Sequence, residues 1–166
     1  GIGTWSWSNQ LRLGIGPAAG QRLIADSVHH TVVKVAGKET SVFAGVGKRG
    51  SGKDGVAAAS LELNHPQGSC NSSDAVYLVD SGNAVLREVN MTTGKVRILA
   101  PHSGPGAVSG LNRPASCMVH DGKVYVTDPG NHRVVALDPS TGEATHVAGR
   151  GGERGCHEGR LGCPSG

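Results

Sequence analysis

Short runs of β-branched and other apolar residues alternate along the chain with turns rich in glycine and aspartate. Three such runs are Arg22–Asp26, Ala75–Asp80 and Lys123–Asp128, and each ends in Asp-Ser or Asp-Pro. Runs of this length, bounded by such turns, predict β-strands. No stretch combines helical periodicity with helix-capping residues, so the pattern predicts an all-β chain. The 27 glycines agree with many tight turns.

The predicted strands recur as a repeat of roughly 50 residues. Leu63-Asn64-His65-Pro66 returns as Leu111-Asn112-Arg113-Pro114 and, in shortened form, as Leu161-Gly162-Cys163-Pro164. Each aspartate turn is followed by two further runs. The second runs are Thr31–Val35, Val85–Val89 and Arg133–Leu137, and the third runs are Ser41–Gly45, Val96–Ala100 and Thr145–Gly149. With the segment after each Leu-x-x-Pro signal, a unit contains four short antiparallel strands, as a propeller blade does.

Two segments carry a resemblance to a known repeat family. Phe43–Gly55, leading into Leu63–Gly68, resembles the junction between NHL repeats, and Val124–Val134 resembles the strand–turn–strand signature of that family. The resemblance repeats in register over about residues 12–166, although Pro101–Gly110 lacks the Ala-Gly-x-Gly opening. It implies an NHL-type β-propeller with four-stranded antiparallel blades. Family members close as rings of about six blades, so about three blades, half of a ring, would be present here.

The repeat divides the chain into blades. We assign residues 1–60 to the first blade with its N-terminal segment and linker, 61–110 to the second, 111–160 to the third, and 161–166 to the start of a fourth. Strand alternation then predicts which side chains are buried. The predicted core residues are Val76, Leu78, Val124, Val126, Val134 and Ala136, and the predicted exposed residues are Lys48, Arg49 and Arg154. A three-blade arc leaves two outer faces uncovered, so we expect remaining propeller blades or a protein partner there, not a bare monomer.

Strand order also predicts a basic loop face. In a four-strand meander, the loop between strands two and three lies at the same end as the linker to the next blade. These loops place His29 and His30 beside several cations, although glycine-rich loops also carry lysine and arginine simply to remain solvated. The predicted partner-binding residues are Lys48, Arg49, Lys53, His132, Arg150 and Arg154. A protein partner is favoured over nucleic acid, because aromatic stacking platforms are scarce at 3% of residues.

Two covalent modifications are suggested by short motifs. Asn71-Ser72-Ser73 and Asn90-Met91-Thr92 are glycosylation sequons, and both are predicted at the end opposite the basic loops. The four cysteines match no metal or redox motif, and the simplest interpretation is that they are buried small apolar residues. Alternatively, Cys156 and Cys163 flank a glycine-containing stretch that would close as a disulfide in an oxidising compartment.

The motifs predict a scaffold that does not catalyse a reaction. Asp26, Asp80 and Asp128 hold the same place in each repeat, which indicates side-chain bonding to the turn backbone. His65 and His120 share no ligand spacing with other histidines, and no nucleophile or phosphate-loop motif is present. We therefore predict protein–protein interaction or assembly within a larger protein or complex, with no cofactor, metal or catalytic residue. Two alternatives stay open: a lyase or hydrolase whose catalytic residues lie in other blades, or an RNA-binding NHL module.

No run approaches the roughly 18 apolar residues that a membrane-spanning helix needs, so no membrane association is predicted. The sequence does not indicate a cellular compartment.

Overall fold

The fold is described from a computed structural model of residues 11–100 and 110–149, with side chains from residue 16 onward. It contains three four-stranded antiparallel sheets, each a meander in chain order. The first sheet contains β1 (Leu11–Ile15), β2 (Gln21–Asp26), β3 (Thr31–Ala36) and β4 (Glu39–Ala44). The second contains β5 (Pro66–Asn71), β6 (Ala75–Asp80), β7 (Val85–Asn90) and β8 (Val96–Ala100). The third contains β9 (Ser116–His120), β10 (Lys123–Asp128), β11 (Arg133–Leu137) and β12 (Ala144–Gly149).

The three sheets are consecutive blades around a common inner edge. The first strand of the second sheet, β5, packs against β1 and β9, which are the first strands of the neighbouring sheets. Each meander therefore runs outward from an inner strand. The predicted all-β class with four-stranded antiparallel blades is confirmed. The observed strands begin and end within about two residues of the predicted runs, because the turn residues that bound them are clear in the sequence.

Two apolar cores fill the junctions between neighbouring sheets. The first core contains Leu23, Ala25, Val32, Leu61, Leu63, Val76 and Leu78, and the second contains Tyr77, Val79, Leu86, Leu111, Val124, Val126, Val135 and Leu137. Successive residues of β6 therefore belong to different cores, since alternate side chains of a strand point to opposite faces. All six residues of β6 are buried. The second sheet is thus packed on both of its faces.

Five of the six predicted core residues are buried, and Val134 is the exception. Val134 is half-buried and pairs with Thr127 across β10 and β11. Because its neighbour Val135 enters the second core, alternation turns Val134 to the opposite face of the third sheet. The prediction that Val134 is buried was therefore wrong, because this face belongs to neither apolar core, although the smaller Ala136 on the same face is buried. Lys48 and Arg49 are exposed as predicted, and Arg154 lies outside the described residues.

The linker between β4 and β5 hydrogen-bonds along the outer strand of the second sheet. The Gly55 N–H donates to the carbonyl of Val96 at 2.7 Å, and the Val96 N–H donates to the carbonyl of Val56 at 3.0 Å. The Asp54 carboxylate accepts the N–H of Ile98 at 2.8 Å. The linker then returns to the first core before β5 begins. It therefore connects the outer rim of the second sheet to the junction with the first.

Cys70 and Cys117 form a disulfide between β5 and β9, with their Cα atoms 5.6 Å apart. This corrects the interpretation of these two cysteines as buried apolar residues, since both are half-buried and covalently paired. No local motif signals the pair, because the cysteines are 47 residues apart and meet only when the inner strands of successive repeats become neighbours. Cys156 and Cys163 lie outside the described residues, so their disulfide stays a prediction.

The aspartate that ends β6 is a buried hydrogen-bond centre. Asp80 is fully buried, and its Oδ2 accepts hydrogen bonds from Arg87 Nε and Asn83 Nδ2, both at 2.8 Å. Its Oδ1 accepts the N–H of Asn64 at 2.8 Å. The carboxylate therefore joins the turn, the third strand of its blade and the segment that precedes the inner strand. Such a paired, fully hydrogen-bonded ion pair is the arrangement in which a buried charge is tolerated.

The same arrangement recurs in the third sheet but not in the first. Its members there are Asp128 with Arg133, Asn131 and Asn112. In the first sheet, Asp26 Oδ1 instead accepts the N–H groups of Val28 and His29, and Asp26 Oδ2 lies 2.7 Å from His29 Nδ1. The prediction that these aspartates hydrogen-bond to the turn backbone is therefore confirmed for Asp26. In the other two blades, the carboxylate is bonded mainly to a buried arginine and to the segment before the blade-opening proline.

Candidate functional site

The turns between second and third strands lie at the same end of the molecule as the linker. Asn83 Nδ2 donates to the carbonyl of Gly50 at 2.8 Å, and Arg87 Nη1 donates to the carbonyl of Gly52 at 2.9 Å. The meander geometry expected from the sequence therefore holds at this junction. This end is named the loop face, and it comprises the turns at residues 27–30, 81–84 and 129–132 and the linker residues 46–54.

The predicted partner-binding cations of the linker are all exposed. Arg49 lies near His30 at the first junction, where its charge acts on the histidine. Lys53 directly precedes Asp54, whose carboxylate is bonded to β8, so Lys53 lies over the outer rim of the second sheet. Lys48 is exposed beside Arg49. Lys48 and Arg49 therefore lie together near the first junction, and Lys53 follows farther along the linker.

The other predicted cations are placed less fully. Arg150 and Arg154 lie outside the described residues, so their part in a basic face stays a prediction. His132 is half-buried at the end of the turn after β10 and lines a separate cleft, described below. Linker residues 46–54 carry three cations and one acid, Asp54, which leaves a net charge of +2. The described part of the loop face is therefore only mildly positive.

A pair of histidines closes the first junction at the loop face. The rings of His30 and His65 pack edge to face with centroids 4.6 Å apart. The His65 N–H donates to His30 Nδ1 at 3.1 Å, which requires His30 Nδ1 to be unprotonated. Both residues have left-handed backbone conformations, with φ of 54° and 49°. The backbone contact therefore favours neutral His30 with its proton on Nε2.

The surroundings of His30 also disfavour its charged form. Burial lowers the pKa of His30 below its ordinary 6.5, and the nearby charges of His65 and Arg49 lower that pKa further. Asp80 and Asp26 oppose this shift without reversing it. Since the unfolded chain binds the proton at higher pH than the folded chain does, His30 opposes folding once the unfolded histidine is protonated.

We predict that the variant His30→Asn lowers the pH dependence of stability. In the parent, the stability that neutral His30 contributes should be fully present above pH 6.5. It should decline as the pH falls through 6.5 toward the lower pKa of His30 in the folded chain. Asparagine has no proton to gain, its Oδ1 replaces Nδ1 as acceptor, and it tolerates the left-handed conformation. Urea unfolding between about pH 5 and pH 8 measures the effect. If the free energy of unfolding depends on pH as steeply in the variant as in the parent, the lowered pKa assigned to His30 is contradicted.

A cleft opens at the second junction, between the second and third sheets. Its volume is about 380 Å³. The lining residues are Gln67, Ser81, Arg113, Pro114, Ala115, Pro129, Gly130 and His132. His132 is the member of this group that the sequence pattern had identified. Arg113 and Gln67 flank a blade-opening proline in successive repeats, so comparison of equivalent repeat positions would have found them.

The two glycosylation sequons lie together at the opposite end. Asn71 ends β5 and Asn90 ends β7, and the N–H of Met91 donates to the carbonyl of Asp74 at 2.9 Å. Asn90 is exposed, and its Oδ1 accepts the N–H groups of the two following threonines, leaving the glycan-accepting Nδ2 outside these bonds. Glycosylation of both residues stays a prediction, and Asn90 is the more accessible of the two.

Residues 11–100 and 110–149 contain no group of three or more His, Cys, Asp or Glu side chains that could hold a metal ion. None of the helices in this part of the chain is long and apolar enough to cross a membrane.

The chain is similar in sequence to part of a longer protein. No protein-family profile matches the chain. It is 28% identical over 139 residues to Protein SUPPRESSOR OF QUENCHING 1, chloroplastic, of Arabidopsis thaliana. The aligned part covers 74% of this chain but only 13% of that protein, so the chain spans a small part of its relative's length.

Solved structures of low sequence identity share the fold. An auxiliary nutrient binding protein from Bacteroides thetaiotaomicron has a TM-score of 0.62 at 13% identity, over 82% of this chain and 37% of that one. A protein of unknown function from the same organism scores 0.55 at 18% identity, over 65% and 30%. Kuenenia stuttgartiensis hydrazine synthase scores 0.54 at 13% identity, over 87% and 38%. The neighbours from Bacteroides are propeller-like, and at these identities the likeness shows the fold alone.

Proposed function

We propose that the chain is part of a non-catalytic NHL-type propeller scaffold that mediates protein–protein interaction or assembly within a larger protein or complex. The observation that carries the proposal is the division of charge at the loop face. The repeat carboxylates Asp80 and Asp128 turn inward to buried arginines, whereas Lys48 and Arg49 project into solvent. Charged side chains with no part in the core are therefore displayed on a rigid repeat scaffold, as in binding surfaces of solenoid and propeller proteins.

The expected partner surface is acidic. The exposed linker cations would meet carboxylates with little loss of hydration, so they would steer association and set its salt dependence more than its final affinity. The cations are spread along the linker, which suits an extended protein surface better than a compact ligand. RNA recognition by the same face is less well supported, because single-strand binding uses aromatic stacking platforms and the chain has few aromatic residues.

Uncovered apolar residues on the two outer sheets support assembly. Val42 is 51% exposed on the first sheet, and Met118 is 59% exposed on the third. Strand pairing places both on faces turned away from the second sheet. We propose that further blades or a partner subunit cover these faces. Sedimentation of the full chain tests this part, and a stable monomer with sharp thermal unfolding would contradict it.

Photo-crosslinking tests the loop face as a partner site. A photoreactive residue is placed at exposed Ser51 on the linker or at exposed Thr92 at the opposite end. We expect salt-sensitive crosslinks to a protein in extracts of the source organism from position 51 and few from position 92. The double reversal Lys48→Glu/Arg49→Glu should weaken capture at position 51 by about tenfold or more.

The matched control for charge reversal is Lys95→Glu, which changes an exposed lysine at the opposite end. Capture from position 51 should persist in this variant. Equal crosslinking from both positions, or capture that survives the double reversal, would contradict the proposed face. Crosslinked material that is lost after ribonuclease treatment would favour the RNA-binding alternative instead.

A further inference from the structure

The two junctions differ at equivalent repeat positions. A left-handed residue ends the turn after the second strand, and another precedes the next blade-opening proline. At the first junction these residues are His30 and His65, whose rings pack against each other. At the second junction they are Ala84 and Arg113, with φ of 56° and 50°. Because alanine has no ring to pack on its neighbour, the arginine side chain is left at the open cleft between the sheets.

The charge of Arg113 is not offset by the cleft. Arg113 is exposed, and it forms no ion pair with any residue of the described ranges. Among the residues that the structure describes, none that lines the cleft is acidic. The nearest repeat carboxylates, Asp80 and Asp128, are each bonded to a buried arginine. The cleft therefore presents one permanent positive charge without a compensating negative one.

Neutral donors and an apolar wall complete the cleft. Gln67 is held by a hydrogen bond from its Nε2 to Ser27 Oγ at 3.3 Å, and its second Nε2 proton remains for another acceptor. Ser81 is about nine-tenths buried and contributes a hydroxyl group. Pro114 and Pro129 supply apolar surface on the side of the third sheet. Convergent polar groups beside such a wall in a volume of about 380 Å³ are typical of a small-molecule site.

We propose that this cleft binds the carboxylate of a small organic acid. Arg113 offers the planar pair of N–H donors that matches a carboxylate, while Gln67 and Ser81 add neutral hydrogen bonds. The two prolines then contact the aliphatic part of the ligand. The cleft opens at the loop face, where Ser81 and His132 line it, but Lys48 and Arg49, which carry the proposed protein contact, are not among its lining residues. The inference therefore does not depend on that protein partner.

A carboxylate fits the cleft better than a phosphate group does. One permanent cation balances the single negative charge of a carboxylate, whereas a phosphate monoester carries between −1.5 and −2 at neutral pH, by the usual estimate of roughly pKa 6 for its second proton. The prolines also remove backbone N–H groups from this part of the lining, and phosphate sites commonly depend on such groups. The chemistry therefore selects for a monocarboxylate with a short apolar chain.

Titration of the full chain with propionate, lactate or inorganic phosphate tests the site. Chloride keeps the ionic strength constant, and NMR follows the Arg113 Nε–H and the backbone N–H of His132. We expect saturable shifts with the two carboxylates at a Kd on the order of 1 mM, and weaker binding of phosphate. The variant Arg113→Asn should weaken carboxylate binding at least about tenfold, and Arg113→Lys should weaken it less, because lysine keeps the charge but not the paired donors.

The matched control is Arg49→Asn, which removes an exposed cation of the loop face outside the cleft. Asparagine accepts the left-handed conformation at position 113, so Arg113→Asn should retain the parent's unfolding profile. Carboxylate binding should be unchanged in the control. Linear shifts without saturation, tighter binding of phosphate, or equal weakening by Arg49→Asn would each overturn the proposal, since each would show only general attraction of anions to a basic surface.

Discussion

Replacing Arg87 with methionine is expected to lower the free energy of unfolding by about 3 to 5 kcal/mol. The Arg87 side chain is 1% exposed, and its Nε donates to Asp80 Oδ2 at 2.8 Å. Methionine keeps much of the side-chain volume but leaves the buried Asp80 carboxylate without its counter-ion. It also leaves the Gly52 carbonyl, which accepts from Arg87 Nη1, without that donor. Urea unfolding followed by circular dichroism measures the loss.

The matched control is Arg97→Met on the neighbouring strand. Arg97 pairs with Glu88 at 2.7 Å, which is as short as the buried pair, but the Arg97 side chain is 53% exposed. Losing the Arg97–Glu88 pair should lower the free energy of unfolding by less than about 1 kcal/mol, because water replaces much of this exposed interaction. The double variant Asp80→Asn/Arg87→Met should recover part of the loss, since no buried charge remains. Equal effects of the two single variants would refute the role given to burial.

Removing the Cys70–Cys117 disulfide in the variant Cys70→Ala/Cys117→Ala is expected to lower the free energy of unfolding by about 4 kcal/mol. The two bonded cysteines are 47 residues apart in the sequence, so the disulfide strongly restricts the conformations of the unfolded chain. In the folded chain it also fastens the inner strands of the second and third sheets together. Urea unfolding of parent and variant under non-reducing conditions gives the difference.

Peptide mapping under non-reducing conditions provides the control for this prediction. It should recover one disulfide-linked peptide pair containing Cys70 and Cys117. The single variant Cys70→Ala should lose about as much stability as the double variant, because either change breaks the bond. The prediction fails if Cys70 and Cys117 are found paired with other cysteines, or if the double variant lies within about 1 kcal/mol of the parent.

Most of the strand order could be predicted from the sequence because it depends on local signals. Runs such as Ala75–Asp80 are bounded by glycine and aspartate turns, and their recurrence in register fixes how many strands each unit contains. The alternation of side chains along a strand predicted burial less well where the strand packs against a neighbouring sheet on one face only. Val134 shows this, because the sequence identifies it as apolar but does not say which face of β11 meets the second sheet.

The contacts that were not predicted all depend on neighbours in space. Arg87 lies between Leu86 and Glu88 in β7, and nothing local marks it as the counter-ion of an aspartate seven residues earlier. Cys70 and Cys117 become neighbours only through packing of β5 against β9. The path of the linker could not be predicted either, because Asp54 meets the N–H of Ile98 only after the linker packs along β8. Strand order predicts the end of the molecule where a loop lies, not its path across that end.

The path of that linker restricts how a partner can dock. Gly55 and Val56 already hydrogen-bond with Val96, and Asp54 occupies the N–H of Ile98. An extended peptide that binds by β-augmentation needs a free row of main-chain donors and acceptors at a sheet edge. The middle blade does not offer this row along β8. Any partner that adds a strand to this molecule must therefore join a different sheet, and recognition at the middle blade must proceed through side chains.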